Sequence, residues 1–174
     1  MAYEIERKFL VRDESWRASA QSVTTIRQAY LARNEAISLR IRIQNNTRAT
    51  LTIKSAAAKI GRQEFEYEIP LEHAAALFEL REGAVVEKLR YELPQAELIW
   101  EVDVFQGENK GLIIAEIELR REDEAFERPK WLGQEITLDW RYSNASLAIS
   151  PFRKSPRSFL PSAARHSDDG EGVQ

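Results

Sequence analysis

The 174-residue chain contains no cysteine. Disulfides, a thiolate nucleophile and a cysteine-ligated metal are therefore excluded, and the absence agrees with the cytoplasm as the expected location. Histidine is scarce: the chain has two, His73 on a predicted helix and His166 in the C-terminal tail. Neither is placed for acid–base work, and no hydroxyl nucleophile has a supporting triad. A surplus of one charge is also missing. The net charge of −3 lacks the basic excess of a general nucleic-acid binder, so no nucleic-acid partner is expected. Met1 to Val11 has no continuous apolar stretch, so neither a signal peptide nor a membrane span is expected there, and no membrane partner.

What the chain does have is alternation. Glu4, Glu6 and Lys8 alternate with Ile5, Arg7 and Phe9. Arg40 and Arg42 alternate with Leu39, Ile41 and Ile43, and Thr50, Thr52 and Lys54 with Leu51 and Ile53. The same period runs through Glu64–Ile69, Lys88–Leu93, Trp100–Val104 and Glu116–Leu119. Period two is the side-chain repeat of a strand. With a further strand over Thr25–Leu31 there are about eight, the number at which a sheet can close around side chains or one small ligand. Asn45-Asn46 predicts a hairpin tip, and Gly61 and Pro94 mark other boundaries. The 3.6-residue pattern predicts a helix over Leu71–Leu80; shorter ones are expected at Asp13–Ala20, at Glu122–Phe126 and from an N-cap at Ser143 to about Ala148. Length suits one domain, residues 1–153. The remainder, 154–174, is rich in Ser, Pro, Asp and Gly and is expected to be disordered and dispensable for the chemistry.

One face of nearly every predicted strand is charged. A sheet wetted on that face accounts for any single strand, but a solubilising surface would intersperse the signs. Here the acid pairs Glu4/Glu6 and Glu116/Glu118 fall on the first and penultimate long strands, and Arg40/Arg42, Lys88/Arg90 and Lys54 on the middle ones. Closed with these faces inward, an acidic wall would meet a basic wall, with apolar faces turned outward beneath the helices. Such a lumen needs water or a ligand. A polyanion bound with a divalent cation satisfies both walls. Guanidinium and ammonium groups take phosphate oxygens, and carboxylates without nitrogen or sulfur donors suit a hard ion, Mg²⁺ or Mn²⁺. Apolar faces left without helical cover would suit self-association into a homodimer. Trp100, Trp131 and Trp140 read as packing residues, and Glu66 and Glu68 as a wet strand face.

The opening Glu4-Ile5-Glu6-Arg7-Lys8 resembles the ExExK signature of the CYTH superfamily, the triphosphate tunnel metalloenzymes. Further similar segments follow in order: Arg40-Ile41-Arg42, Thr52-Ile53-Lys54, Arg62-Gln63-Glu64-Phe65-Glu66, Glu87-Lys88-Leu89-Arg90-Tyr91, Glu101–Phe105, Ala115–Leu119, Gly133–Thr137 and Arg141–Asn144. The resemblance, to small bacterial members, covers Met1 to about Ser150. It implies a mainly β (α+β) fold, a closed eight-stranded antiparallel β-barrel tunnel with a few short flanking helices, open at both ends. It implies a divalent metal, Mg²⁺ or Mn²⁺, on Glu4, Glu6 and Glu118, with Glu116 close by. It implies that Lys8, Arg40, Arg42, Lys54, Lys88 and Arg90 hold phosphate oxygens. Lys88 stands where these enzymes have a lysine linked to water attack, so Lys88 and the metal-holding Glu6 are the expected catalytic residues. Asp103 and Glu64 match acidic lumen positions. The expected reaction is hydrolysis of inorganic triphosphate to pyrophosphate and phosphate by in-line attack of water. Alternatives are a thiamine or nucleoside triphosphatase, an adenylate cyclase, and a polyphosphate-binding module without catalysis.

Overall fold

A computed structural model describes residues 2–56 and 61–154. The strands are β1 (Ala2–Val11), β2 (Ser22–Arg33), β3 (Ile37–Gln44), β4 (Arg48–Ser55), β5 (Gly61–Ile69), β6 (Glu82–Gln95), β7 (Leu98–Phe105), β8 (Ile113–Glu118) and β9 (Leu132–Glu135), with helices α1 (Leu71–Phe78) and α2 (Asn144–Ile149). All pairings are antiparallel, in the order β5-β4-β3-β2-β6-β7-β8-β1-β9. An additional β1–β5 pairing closes the first eight strands into a barrel. Beyond Lys154, the predicted tail lies outside the described residues.

Strand β1 is shared along its length. Glu6–Leu10 pair with β8 on one side; on the other, Ala2–Ile5 pair with Gly61–Glu64 of β5, while Phe9 and Val11 pair with β9. The ninth strand is an addition to the eight expected. It is four residues long, and a Cβ on its Gly133 would lie 3.0 Å from the Leu10 carbonyl, so the close approach of the two backbones uses a residue without one. The Asn45-Asn46 tip forms as predicted: both residues have positive φ, 49° and 55°, and Thr47 N–H donates to the Gln44 carbonyl at 3.0 Å. Pro94 lies inside β6, two residues before a turn at Ala96.

The apolar strand faces point outward and are covered in two places. Helix α1 sets Ala74 and Phe78 on Ala29, Ile41, Ile43 and Ala49. On the opposite side, Trp16 from a 3-10 turn (Ser15–Ser19) joins Trp131 and Leu132 over Ile5, Phe9, Trp100, Val102 and Ile117. Trp100 stands at the centre of this second core, edge-on to Phe9, Phe126 and Trp131 with ring centroids 5.6–5.7 Å apart. The predicted helix over Glu122–Phe126 is absent. Glu124 instead closes a single turn, its carboxylate accepting from Arg120 N–H at 2.5 Å and its own N–H donating to the Arg121 carbonyl at 3.1 Å. The chain then runs on without helix and packs Phe126 against Phe9 and Trp100. On β5, Phe65 and Tyr67 remain exposed.

Helix α2 begins at the predicted cap: Ser143 Oγ accepts from Ser146 N–H at 3.1 Å. It docks on β6 at Gly83, where φ is +74° and a Cβ would meet the Ala148 carbonyl oxygen at 2.5 Å. Leu147 and Ala148 pack with Val86, Phe105 and Ile114. Each stands two residues from Lys88, Asp103 or Glu116 on its own strand, and so on the same inner face. One end of the barrel is thus filled with apolar side chains, which overturns the expectation of a tunnel open at both ends. Among the described residues no helix is long and apolar enough to cross a membrane.

Candidate active site in the barrel lumen

The strand order sorts the charges. Strands β7, β8, β1 and β5 are consecutive around the closed ring and bring Glu101, Asp103, Glu116, Glu118, Glu4, Glu6, Glu64 and Glu66 to its inner face. Strands β4, β3, β2 and β6 complete the ring and bring Lys54, Arg40, Arg42, Lys88 and Arg90. Lys8 and Arg62 are the cations that stand among the acids. A cavity of about 590 Å³ lies between the two arcs, lined by Glu4, Glu6, Lys8, Arg40, Arg42, Lys54, Glu64, Arg90, Glu116 and Glu118 among others. Of the sequence-predicted site residues, Lys88 and Asp103 do not line it. They are buried behind its wall, 1% and 0% exposed.

At the acidic arc, most carboxylates are held by cations. Arg62 donates from Nε to Glu4 and from Nη2 to Glu6, both at 2.8 Å. Lys54 Nζ reaches Glu4 at 2.8 Å and Glu64 at 2.7 Å. Lys8 bridges Glu116 at 2.5 Å and Glu6 at 3.2 Å. Burial acts to lower the Lys8 pKa, but the Glu116 and Glu6 carboxylates outweigh it and hold the ammonium above its usual range. Glu118 is different. It stands directly opposite Glu6 across the β1–β8 pair, an unfavourable placement for like charges. Partial burial raises its pKa, and the surrounding Glu4, Glu101, Glu64 and Glu6 raise it further. Crowded carboxylate oxygens are suitable chemistry for a hard divalent cation. In the present arrangement, however, no three carboxylate or imidazole groups among the described residues converge closely enough to hold one. Arg62, Lys54 and Lys8 occupy the carboxylates that would do so.

The basic arc contains a charge without an ion pair among the described residues. Arg90 has three acids: its Nε and Nη2 donate to Asp103 at 2.7 Å, Nη2 also donates to Glu116 at 2.8 Å, and Glu101 pairs with Nη1. Arg40 donates to Thr52 Oγ1 at 3.2 Å and lies 3.6 Å from Glu64. Arg42 forms no ion pair with any described residue, and its Nε, like that of Arg40, is buried without a hydrogen-bond partner. Burial, then the neighbouring Arg40 and Arg90 cations, push the Arg42 pKa down to about 10. Behind this wall Lys88 Nζ donates to Asp103 and lies 3.4 Å from Asn144 Oδ1, and Asn144 does line the cavity. Burial first, then Arg90, push Lys88 down to about 8 against the pull of Asp103 and Glu116.

Sequence reasoning missed several lining residues. Arg62 had only its place in a family-like segment to mark it, and Glu101 its place in another and its alternation with Val102. Glu66, read as wet surface, lines the cavity and accepts from Thr52 Oγ1 at 3.2 Å. Trp100 and Trp131 pack as expected, but Trp140 does not: it is 72% exposed on the cavity rim beside Leu138, and Tyr142 is the aromatic of that turn which is buried.

The model of the CYTH domain matches residues 2–157. The chain belongs to the CYTH family. It is 43% identical over 154 residues to an inorganic triphosphatase of Acetivibrio thermocellus, covering 88% of this chain and 97% of that one. It is 40% identical over 152 residues to an inorganic triphosphatase of Nitrosomonas europaea, covering 84% and 97%. A crystal structure of an inorganic triphosphatase superposes with a TM-score of 0.63 at 37% identity, covering 86% of this chain and 97% of that one. Both the fold and the ordered motifs of this CYTH chain therefore have counterparts over most of its length.

Proposed function

We propose that this CYTH protein hydrolyses inorganic triphosphate to pyrophosphate and phosphate by direct attack of water on a terminal phosphorus. The carrying observation is Arg42, half-buried with its Nε enclosed and without an ion-pair partner among the described residues, facing a cavity beside Arg40 and Arg90. Leaving such a charge unpaired is costly, and a phosphate oxygen is its natural complement. The 40–43% identity to inorganic triphosphatases supports the same reading.

In this reading Arg40, Arg42 and Lys54 bind the phosphoryl oxygens and align the chain for in-line displacement, with Lys8 and Arg90 completing the cationic lining. Glu4, Glu6, Glu116 and Glu118 would hold a divalent cation, Mg²⁺ or Mn²⁺, once Arg62, Lys54 and Lys8 turn from these carboxylates to the phosphate oxygens of the substrate. That cation would supply neutralisation of the triphosphate charge. Lys88 adds positive charge from behind the wall near the attacked group and meets the cavity edge through Asn144. Asp103 fixes Lys88 and Arg90 together, and Glu64 steadies Lys54. Trp140 and Leu138, exposed on the rim, favour a second reading in which triphosphate esters with an organic group are also accepted.

The test is a substrate panel. Purified protein is incubated with inorganic triphosphate, ATP and thiamine triphosphate, with and without Mg²⁺ or Mn²⁺, and phosphate, pyrophosphate and cyclic AMP are followed. Metal-dependent release of equal phosphate and pyrophosphate from inorganic triphosphate is expected. Cyclic AMP from ATP would identify a cyclase, and binding without turnover under either metal would identify a binding module.

A further inference from the structure

We infer that Gln28 and Thr50 form, with Arg42, a recessed seat for the terminal phosphoryl group of the triphosphate; this rests on the triphosphatase reading above. Tyr30 and Arg40 face each other across β2 and β3 and both line the cavity. Two residues along, and so on the same inner face, Gln28 stands opposite Arg42, and Arg42 opposite Thr50 on β4. The three make one row across three adjacent strands. Gln28 is 0% exposed and Thr50 1%.

The row is rich in hydrogen-bonding atoms that nothing in the described chain satisfies. Gln28 Oε1 and Nε2, Thr50 Oγ1 and Arg42 Nε are all buried without a partner. The flanking residues offer no remedy. Val86, opposite Gln28 on β6, is apolar. Glu68, opposite Thr50 on β5, turns its carboxylate to Arg48 at 3.2 Å. Buried polar groups are ordinarily paired, and each orphan destabilises the fold. Arg42 Nε–H, the Gln28 amide N–H and the Thr50 hydroxyl are donors around a guanidinium that has no ion pair among the described residues. That set calls for an anion with several acceptor oxygens, as a terminal phosphoryl group has. Neutral donors set deeper than the charged lining would read the end of the chain by shape, and Arg40 and Lys54 would add charge-assisted hydrogen bonds.

The test uses Thr50→Val, which keeps the shape and removes the hydroxyl, and Gln28→Met, which keeps the length and removes the amide. Melting of the metal-free protein, its rise on adding inorganic triphosphate, and KM and kcat with Mg²⁺ are measured for each. A phosphoryl seat predicts variants that melt at or above the wild-type temperature when empty, because an orphan has been removed. It also predicts binding of triphosphate weakened about tenfold or more. A row satisfied only by structural water predicts the reverse, a lower melting temperature with KM and the ligand-induced rise unchanged, and that result overturns the seat. Variants matching wild type within twofold in triphosphate binding also overturn it. If wild-type protein neither binds nor cleaves triphosphate, it is the triphosphatase reading that fails.

Discussion

Asp103→Asn replaces a carboxylate by an amide of the same shape at the most enclosed acid of the lumen. Asp103 accepts two hydrogen bonds of 2.7 Å from Arg90 and one from Lys88. The substitution leaves both cations in the wall beside Arg42 with one acid fewer. Removing one partner of a buried ion pair costs about 3–5 kcal/mol. For a chain of this length, each kcal/mol moves the melting temperature by about 2–4 °C, so the loss is roughly 6–20 °C. The deficit also depends on pH. Lys88 is depressed to about 8 in the folded wild-type protein, below its ordinary value of 10.5, and losing Asp103 depresses it further. Between the folded and unfolded pKa values the unfolded chain binds more protons, so stability rises with pH. That window opens at lower pH in the variant, and the deficit is therefore larger at pH 6 than at pH 9. Thermal unfolding followed by circular dichroism at both pH values measures this, and excess triphosphate without metal should narrow the gap by returning negative charge to the wall. A shift below about 2 °C at pH 6 would show that Asp103 is not the counter-charge that stabilises Lys88 and Arg90.

Other consequences are equally specific. Glu6→Gln should lower metal-dependent turnover by about a hundredfold or more while the protein stays folded; wild-type rates in that variant would contradict the role of Glu6. Lys88→Met should lose kcat more than it raises KM, and a pure affinity loss would move Lys88 into the substrate-binding set. Gly83→Ala should destabilise the protein by about 1–3 kcal/mol through its left-handed backbone, with further loss from the 2.5 Å clash with the Ala148 carbonyl oxygen. Limited proteolysis should then cut first near α2, and a wild-type melting temperature would show that α2 docks elsewhere.

The barrel was legible because its eight strands mostly obey two constraints at once, an apolar face turned outward and a polar face around the lumen. Glu4-Ile5-Glu6 and Arg40-Ile41-Arg42 carry that alternation in the open. Strand β9 does not: four residues that include Gly133 have too little period to read. The short helix expected over Glu122–Phe126 does not form because Phe126 is pulled to the Trp100 cluster. Within the site, strand-borne pairs of one sign pointed to the lumen. Arg62 was hidden because its partners Glu4 and Glu6 lie 58 and 56 positions away. Gln28 was hidden for another reason, as a neutral polar residue in a strand carries no sign to sort. Trp140 was misread since composition cannot tell which aromatic of the Trp140–Tyr142 turn faces in.

The central claim is that triphosphate is held inside the barrel against Arg42. Diffraction from crystals grown with a non-hydrolysable imidotriphosphate and Mg²⁺ tests it most directly. Phosphoryl oxygens are expected within hydrogen-bonding distance of Arg42 and Arg40, with the cation against Glu6 and Glu118. Triphosphate bound on the outer face of the barrel, with Arg42 still unpaired, would contradict it.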